Sequence, residues 1–239
     1  RDTSPMVDYT YDGYRSLLHN FHERGFSSIR YAETKRDKLW VLLRHDVDYD
    51  PKKALEVAEI EAEAGMQSTF FFLLTTEFYN VFSREVCDIV DNIVELGHDI
   101  GLHFDTSNYW DKEPDVAALQ RAIRTQQEAF EAVCDSEIID TVAFHNPPEW
   151  TLNRYFDGLQ TTYEPEYFEQ IAYESDSLYR WQTDQPFGDG YPNRLQMLTH
   201  PVLWGEKSAP LKARIETAQQ QIIDWTDRCV RENSDIDWG

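Results

Sequence analysis

The chain has 239 residues, of which 41% are hydrophobic and 14% aromatic, which suits a single domain with a sizeable core and excludes wholesale disorder. Its 44 acidic and 22 basic residues give a formal net charge of −22, which excludes general binding to nucleic acid because such binding needs a basic surface. No apolar run reaches the ~18–20 residues of a membrane span and no signal-peptide pattern is visible, so we expect a cytoplasmic protein without a membrane segment.

Apolar patterning in the first half of the chain predicts helices that alternate with short strands. Asp50 is a suitable N-cap for a helix that begins at Pro51, and Gly65 suits the position just past its end. The run "STFFFLL" is typical of a strand buried on both faces. The elements predicted here are a helix over 8–24, a strand over 40–45, a helix over 51–64, a strand over 68–74 and a helix from Ser83 to Gly97.

The second half continues the alternation. Its predicted elements are strands over 98–104 and 138–144 with a long helix over 116–133 between them, strands near 171–173 and over 195–200, and a last helix over 210–231. Short buried strands alternating with helices predict an α/β fold with a mostly parallel sheet, open or closed into a barrel. We expect one domain over residues 1–239.

Residue usage bears on where the protein works. Only seven of the 22 basic residues are lysines, and an acidic, lysine-poor surface fits a salt-loving source about as well as it fits an ordinary acidic protein. Cys87, Cys134 and Cys229 are far apart and odd in number, which indicates buried apolar residues in a reducing compartment rather than a disulfide framework.

Chemically active side chains gather where the predicted strands end. The first strand ends in "RHDVD", with His45, Asp46 and Asp48, and three later strands lead into His103, His145 and His200. In parallel α/β folds the carboxyl ends of the strands meet at one edge, where functional sites lie. Two carboxylates with two or three imidazoles suit Zn²⁺, Fe²⁺, Co²⁺ or Mn²⁺.

Simpler interpretations of these residues stand beside the metal hypothesis. Asp48 and Asp50 could begin a turn and cap a helix, which is the better interpretation for Asp50. A single histidine at a strand end is more often a structural residue than a ligand. His45 points away from Asp46 if the strand pleat persists, so we interpret it as structural or supporting.

The motifs "RHDVD", "STFFFL", "GHDIGLH", "FHNPP" and "LTHP" resemble, in order and rough spacing, those of the polysaccharide deacetylase superfamily. The resemblance covers about residues 40–204 and includes the chitin and peptidoglycan deacetylases of carbohydrate esterase family four. It implies a distorted (β/α) barrel. It also implies a metal-dependent hydrolase that removes an N-acyl group from an amino sugar or glycan, with one divalent transition metal, zinc in the first place.

The resemblance assigns roles to individual residues. It makes Asp46 the general base, Asp48 and His103 metal ligands, and His200 the general acid. Asp176 and Trp181, in "DSLYRW", match the segment that supports the acid and walls the substrate groove. We expect these two and Trp150 to bind substrate, with Tyr109 and Trp110 as further rings for stacking on sugars. Core packing is an equal alternative for Trp150 and Trp181.

The sequence departs from the family pattern at two positions. The second ligand histidine should fall four residues after His103, where this chain has Ser107, and "FHNPP" has His145 where the family often has an arginine that orients the base. We expect His145 to supply the third ligand. The alternatives are Asp105, a site with two protein ligands, or a lost metal site.

Two rival functions therefore remain beside deacetylation. One is an amidase that acts on a small nitrogenous metabolite by the same mechanism. The other is a non-catalytic glycan-binding protein on the same fold.

Overall fold

Seven strands form one parallel sheet in the computed structural model of the chain, which describes residues 7–31, 33, 39–187 and 190–232. The strands are β1 Ser27–Ser28, β2 Trp40–Val47, β3 Ser68–Leu73, β4 Asp99–Phe104, β5 Ile138–Phe144, β6 Ala172–Ser175 and β7 Arg194–Thr199. The helices are α1 Tyr11–Glu23, α2 Pro51–Glu63, α3 Arg84–Glu95, α4 Val116–Glu131, α5 Pro165–Phe168 and α6 Leu211–Glu232. The two-residue β1 and the four-residue α5 were too short to predict.

Local capping fixes the helix ends where the sequence predicts them. The Asp50 side chain accepts hydrogen bonds from the backbone N–H groups of Lys52 and Lys53, and Pro51 occupies the first turn of α2. The Ser83 hydroxyl caps α3 in the same way. Gly65 and Gly97 follow these two helices with φ values of +69° and +95°, which only glycine adopts without strain.

The sheet has the order β5-β4-β3-β2-β7-β6, and β1 pairs with the beginning of β2. The edge strands β5 and β6 do not pair with each other among the described residues. A segment over 160–162 follows the free edge of β5 instead, with hydrogen bonds in both directions to Val142. The Gln196 side chain of β7 donates to the carbonyl of Thr162 from the other side. The α/β fold with a mostly parallel sheet is confirmed, and this segment spans the opening of the sheet.

Alternation along β2 divides its side chains between two environments. Val41, Leu43 and Val47 belong to the large core that the strands share with the helices. Trp40 and Leu42 belong to a separate apolar cluster on the other face of the sheet. Because successive side chains point to opposite faces, Arg44 and Asp46 continue the row of Trp40 and Leu42 toward the carboxyl end of the strand. No helix in the described part of the chain is long and apolar enough to cross a membrane.

Candidate metal and catalytic site

A cavity of about 250 Å³ lies at the carboxyl ends of the strands. Five of the predicted residues line it, namely Asp46, Asp48, His103, His145 and His200. They come from β2, β4, β5 and β7 or from the residues that directly follow these strands. Parallel pairing places all these ends at one edge, so residues up to 154 positions apart in the chain meet here, as the strand-end rule predicts.

Three donor atoms form a nearly equilateral triangle in this cavity. Asp48 Oδ1 lies 3.2 Å from His103 Nε2 and 3.3 Å from His145 Nδ1. The two imidazole nitrogens are 3.2 Å apart. The second nitrogen of His103 lies 3.1 Å from the carbonyl oxygen of Ala143, which can accept its proton and so leaves Nε2 free to face the triangle.

The dimensions of the triangle suit a small transition-metal ion. Two donors bound at ~2.1 Å in tetrahedral geometry lie ~3.4 Å apart, close to the observed separations. Asp48 Oδ1 is buried and, apart from the two imidazoles that face it, has no hydrogen-bond donor among the described residues. Asp48, His103 and His145 are also the one group of described residues whose arrangement could hold a metal ion. Zinc and its neighbours favour such a carboxylate and imidazole set.

Ser107 lies outside this group. It is exposed, and its backbone N–H donates a 2.8 Å hydrogen bond to Asp105 Oδ1. The Asp105 side chain is engaged as the cap of the short helix over 106–108. Of the alternatives for a third donor, only His145 lies within the triangle.

Electrostatics hold Asp48 ionised. Burial alone would raise the pKa of Asp48, but the facing imidazoles of His103 and His145 hold it well below its usual range. The same contact acts on His145, where burial would lower the pKa and the Asp48 carboxylate raises it. Two imidazoles that face one buried carboxylate therefore favour a positive charge in the space between the three groups. A metal ion can supply that charge in place of a proton on an imidazole.

Arg44 holds the predicted base and is a functional residue that sequence reasoning missed. Its Nε donates to Asp46 Oδ1 at 2.9 Å and its Nη2 to Asp46 Oδ2 at 2.8 Å, while Nη2 also donates to the Tyr163 hydroxyl at 2.9 Å. Both Arg44 and Asp46 are buried. Burial would raise the pKa of Asp46, but the guanidinium lowers it. The resemblance implies an arginine in "FHNPP" that orients this carboxylate, and in this structure Arg44 contacts the carboxylate instead.

His200 faces the triangle from β7 and is held by Asp176. Its Nδ1 lies 2.6 Å from Asp176 Oδ1, and its Nε2 lies 3.9 Å from Asp48 Oδ2. Asp176 also accepts hydrogen bonds from the His200 backbone and from the Trp204 indole. Burial would lower the pKa of His200, but the Asp176 carboxylate raises it to about 9. His200 is therefore protonated at neutral pH, with Nε2 directed at the cavity.

The three predicted substrate residues do not line the cavity. Trp181 is 1% exposed and packs between Tyr9 and Trp204 in the core, so the expectation that it walls the groove is corrected. Trp150 is half-buried and packs on Phe156 and on Phe144, which lines the cavity, but Trp150 itself is not part of the lining. Asp176 is fully buried, so it contacts His200 and not a substrate. Core packing, the alternative for both tryptophans, is what the structure has.

The two other aromatic residues expected to bind sugar are also absent from the cavity lining. Tyr109 is 45% exposed and stacks on Phe104, and Trp110 packs beside it in the same cluster. Neither ring reaches the cavity, so sugar stacking on them has no support from this arrangement.

His45 lies on the opposite face of β2, as the pleat predicts. Its Nε2 is 2.9 Å from Glu61 Oε1 and its Nδ1 is 2.7 Å from the Thr199 hydroxyl. Glu61 also accepts hydrogen bonds from the hydroxyls of Tyr14 and Ser68, each at 2.5 Å. This buried network joins α1, α2 and β3 to the strands that carry Asp46 and His200, and it has no contact with the cavity.

No protein-family model matches the sequence, and no curated protein matches it. Solved structures do match. A family 4 carbohydrate esterase from Bacillus anthracis is 16% identical, with a TM-score of 0.41 over 89% of this chain and 86% of that one. A peptidoglycan N-acetylglucosamine deacetylase is 14% identical, with a TM-score of 0.47 over 87% and 91%. A family 4 pseudoenzyme from Bacillus anthracis is 14% identical, with a TM-score of 0.45 over 82% and 65%.

At identities and TM-scores this low, the comparisons assign no role to any individual residue, so such roles are argued from the geometry of the site. Two of these solved structures are named as members of carbohydrate esterase family 4, the family whose motifs the sequence resembles.

Proposed function

We propose that the protein is a metal-dependent hydrolase that removes an N-acyl group, acetyl in the first place, from an amino sugar or glycan. The single observation that supports this most is the triangle of Asp48, His103 and His145, with edges of 3.2–3.3 Å beside an ionised carboxylate and a protonated imidazole. Asp48 Oδ1 is buried against the two imidazole nitrogens and no other hydrogen-bond donor reaches it, which supports an ion at this position.

Each residue has a distinct role in the proposed reaction. Asp48, His103 and His145 would hold the ion, which supplies Lewis-acid polarisation of the amide carbonyl and of the attacking water. Zinc is the first choice for this donor set, with iron, cobalt and manganese as alternatives. Asp46 accepts the proton of the attacking water, since Arg44 keeps it ionised and its Oδ2 lies 3.6 Å from His103 Nε2.

His200 completes the proton transfers. Its protonated Nε2 donates to the amine nitrogen as the C–N bond breaks, and Asp176 stabilises the charge of the imidazolium until then. The base and the acid thus stand on β2 and β7, which are hydrogen-bonded neighbours. Each such proton transfer typically contributes ~10²–10⁴ to the rate.

The direct test combines metal content with turnover. Mass spectrometry of the purified protein should find about one transition-metal ion per chain, and His103→Ala should lose it. Release of acetate from a panel of N-acetyl sugars and their oligomers then identifies the substrate. A protein that binds none of the four metals after incubation with each would contradict the proposal and leave a glycan-binding role.

A second variant separates catalysis from metal binding. Asp46→Asn keeps the size of the side chain but cannot accept the proton of the water. We expect it to abolish acetate release while metal content stays near the wild-type level, because Asp46 lies outside the donor triangle. Full turnover by this variant would show that another group is the base.

A further inference from the structure

One basic side chain that lines the cavity has no partner. Arg180 is exposed and lies on the cavity wall with Ser175 and Ser177. Within the described part of the chain its guanidinium forms no hydrogen bond and no ion pair within 4.0 Å. Arg44, the other arginine of this region, is buried and donates through Nε and Nη2 to Asp46 and Tyr163, with only its Nη1 left without a partner. The two arginines of the site therefore differ, because Arg44 is buried and committed to Asp46 while Arg180 is exposed at the cavity wall.

Strained backbone presents Arg180 to the cavity. Leu178 and Tyr179 have φ values of 56° and 61°, in the left-handed region that costs an ordinary residue roughly 1–2 kcal/mol. Two buried rings hold the strained turn in place. Tyr179 stacks on Tyr9 with centroids 3.9 Å apart, and Trp181 is buried beside the same ring. Arg180 stands between these two anchors, so the turn is fixed while its guanidinium is free.

The neighbouring serines add a further donor. The hydroxyls of Ser175 and Ser177 are 2.5 Å apart, and the backbone N–H of Ser177 donates to the Ser175 hydroxyl. One of the two hydroxyl protons is used between them. The Ser175 hydroxyl is also hydrogen-bonded to Tyr173, so Ser177 is the hydroxyl that can turn to a ligand in the cavity, on the same wall as Arg180.

We infer that Arg180, assisted by Ser177, binds an anionic substituent of the acylated sugar, a phosphate or a carboxylate. This inference rests on the proposed function, since it names the class of substrate for the same site. A guanidinium presents a planar fork of donors that fits both anions in a bidentate manner. A neutral sugar offers this fork only hydroxyl and carbonyl oxygens, which bind a guanidinium more weakly than an anion does.

The charge of the whole molecule makes this arginine more informative. The protein carries a formal net charge of −22, so its surface repels anions at long range. Burial raises the pKa of the nearby Glu174 carboxyl, and the positive charge of Arg180 lowers it by a smaller amount. The two side chains form no ion pair. An unpaired guanidinium at the cavity of so acidic a protein supplies attraction where the rest of the surface opposes it.

The test measures binding without turnover. The Asp46→Asn variant is titrated by calorimetry with N-acetylglucosamine, N-acetylglucosamine 1-phosphate and N-acetylmuramic acid, which are a neutral sugar, a phosphate and a carboxylate. The same titrations are run on D46N/R180Q and on D46N/R15Q. Arg15 is an exposed residue of α1 that pairs with Asp12, so its replacement changes the net charge equally without touching the cavity.

We expect R180Q to weaken binding of at least one anionic sugar about 10- to 100-fold, as the loss of a hydrogen bond to a charged group implies. Binding of the neutral sugar should change less than about twofold, and R15Q should leave all three affinities unchanged. The loss should shrink as salt is added, because screening weakens the attraction. The arm that responds identifies the phosphate or the carboxylate.

Several results would overturn the inference. The inference is wrong if neither anionic sugar binds more tightly than the neutral one. It is also wrong if R180Q and R15Q lose the same affinity for the anionic sugars. Acetate release by the wild-type protein is measured separately on the same sugars. A loss of anion binding in R180Q without any acetate release would keep this inference and reject the proposed function. Equal turnover of neutral and anionic sugars, unchanged in R180Q, would keep the proposed function and reject this inference.

Discussion

Replacement of Arg44 by methionine tests how the site is held together. Methionine has nearly the length of the arginine stem but cannot donate to Asp46, so the variant leaves a carboxylate that is 3% exposed without its partner. Removing one member of a buried ion pair typically costs about 3–5 kcal/mol. A domain of this kind has a free energy of unfolding of about 5–15 kcal/mol, so the loss is a large fraction of the total.

The cost should depend on pH with a definite sign. In the wild-type protein Arg44 lowers the pKa of Asp46, so the pair contributes stability above the unfolded pKa of Asp and loses it as pH falls. In Arg44→Met burial still raises the pKa of Asp46, and only the imidazoles of His103 and His200 still lower it. The penalty is then complete at neutral pH and diminishes as Asp46 becomes protonated on acidification.

Urea unfolding of the metal-free protein measures this, with the midpoint expected to shift at constant slope. Asp46→Asn added to Arg44→Met should recover part of the loss, so that the double variant is less destabilised than the sum of the single ones. Arg30→Met is the matched control, because Arg30 is partly exposed in its pair with Asp99 and should cost less than about 1 kcal/mol. A loss in Arg44→Met as small as that of the control would refute the reasoning.

Three further predictions follow from the site and the fold. His145→Ala should lower metal content far more than Ser107→Ala, measured by mass spectrometry after dialysis, and equal occupancy in the two variants would count against His145 as a ligand. Wild-type activity should fall as pH rises through about 9, where His200 loses its proton, and Asp176→Asn should move that fall to lower pH; an unchanged profile would remove His200 as the acid. Asp50→Ala should cost about 0.5–2 kcal/mol in urea unfolding without changing metal content, because only the cap of α2 is lost.

Much of the fold follows from local patterns. The strand over 68–73 and the helix caps at Asp50 and Ser83 depend on neighbours within a few residues, and these were predicted nearly to the residue. The meeting of Asp48, His103 and His145 could also be predicted, because parallel strands bring their carboxyl ends together whatever their separation in the chain. Their roles as ligands stay a prediction.

Other parts of the site depend on contacts that no local pattern reveals. The role of Arg44 could not be predicted because it depends on a distant contact. Arg44 donates a hydrogen bond to the hydroxyl of Tyr163, which lies 119 residues later in the chain. The resemblance of "DSLYRW" to a family segment places Trp181 in the groove, but a tryptophan suits a core equally well, and here its ring is buried beside Tyr9. The left-handed backbone at Leu178 and Tyr179 could not be predicted from the sequence, because neither residue is a glycine, the residue type that usually marks this conformation.

The alternation along β2 has a consequence for how this gene can change. Arg44 and Asp46 serve the cavity while His45, between them, serves the buried network with Glu61 on the other face. Inserting or deleting a single codon within this strand would turn the histidine inward and the acid outward, and both networks would fail together. The surrounding loops can lengthen or shorten by one residue without this penalty. We therefore expect insertions and deletions among descendants of this sequence to be absent between Trp40 and Asp48.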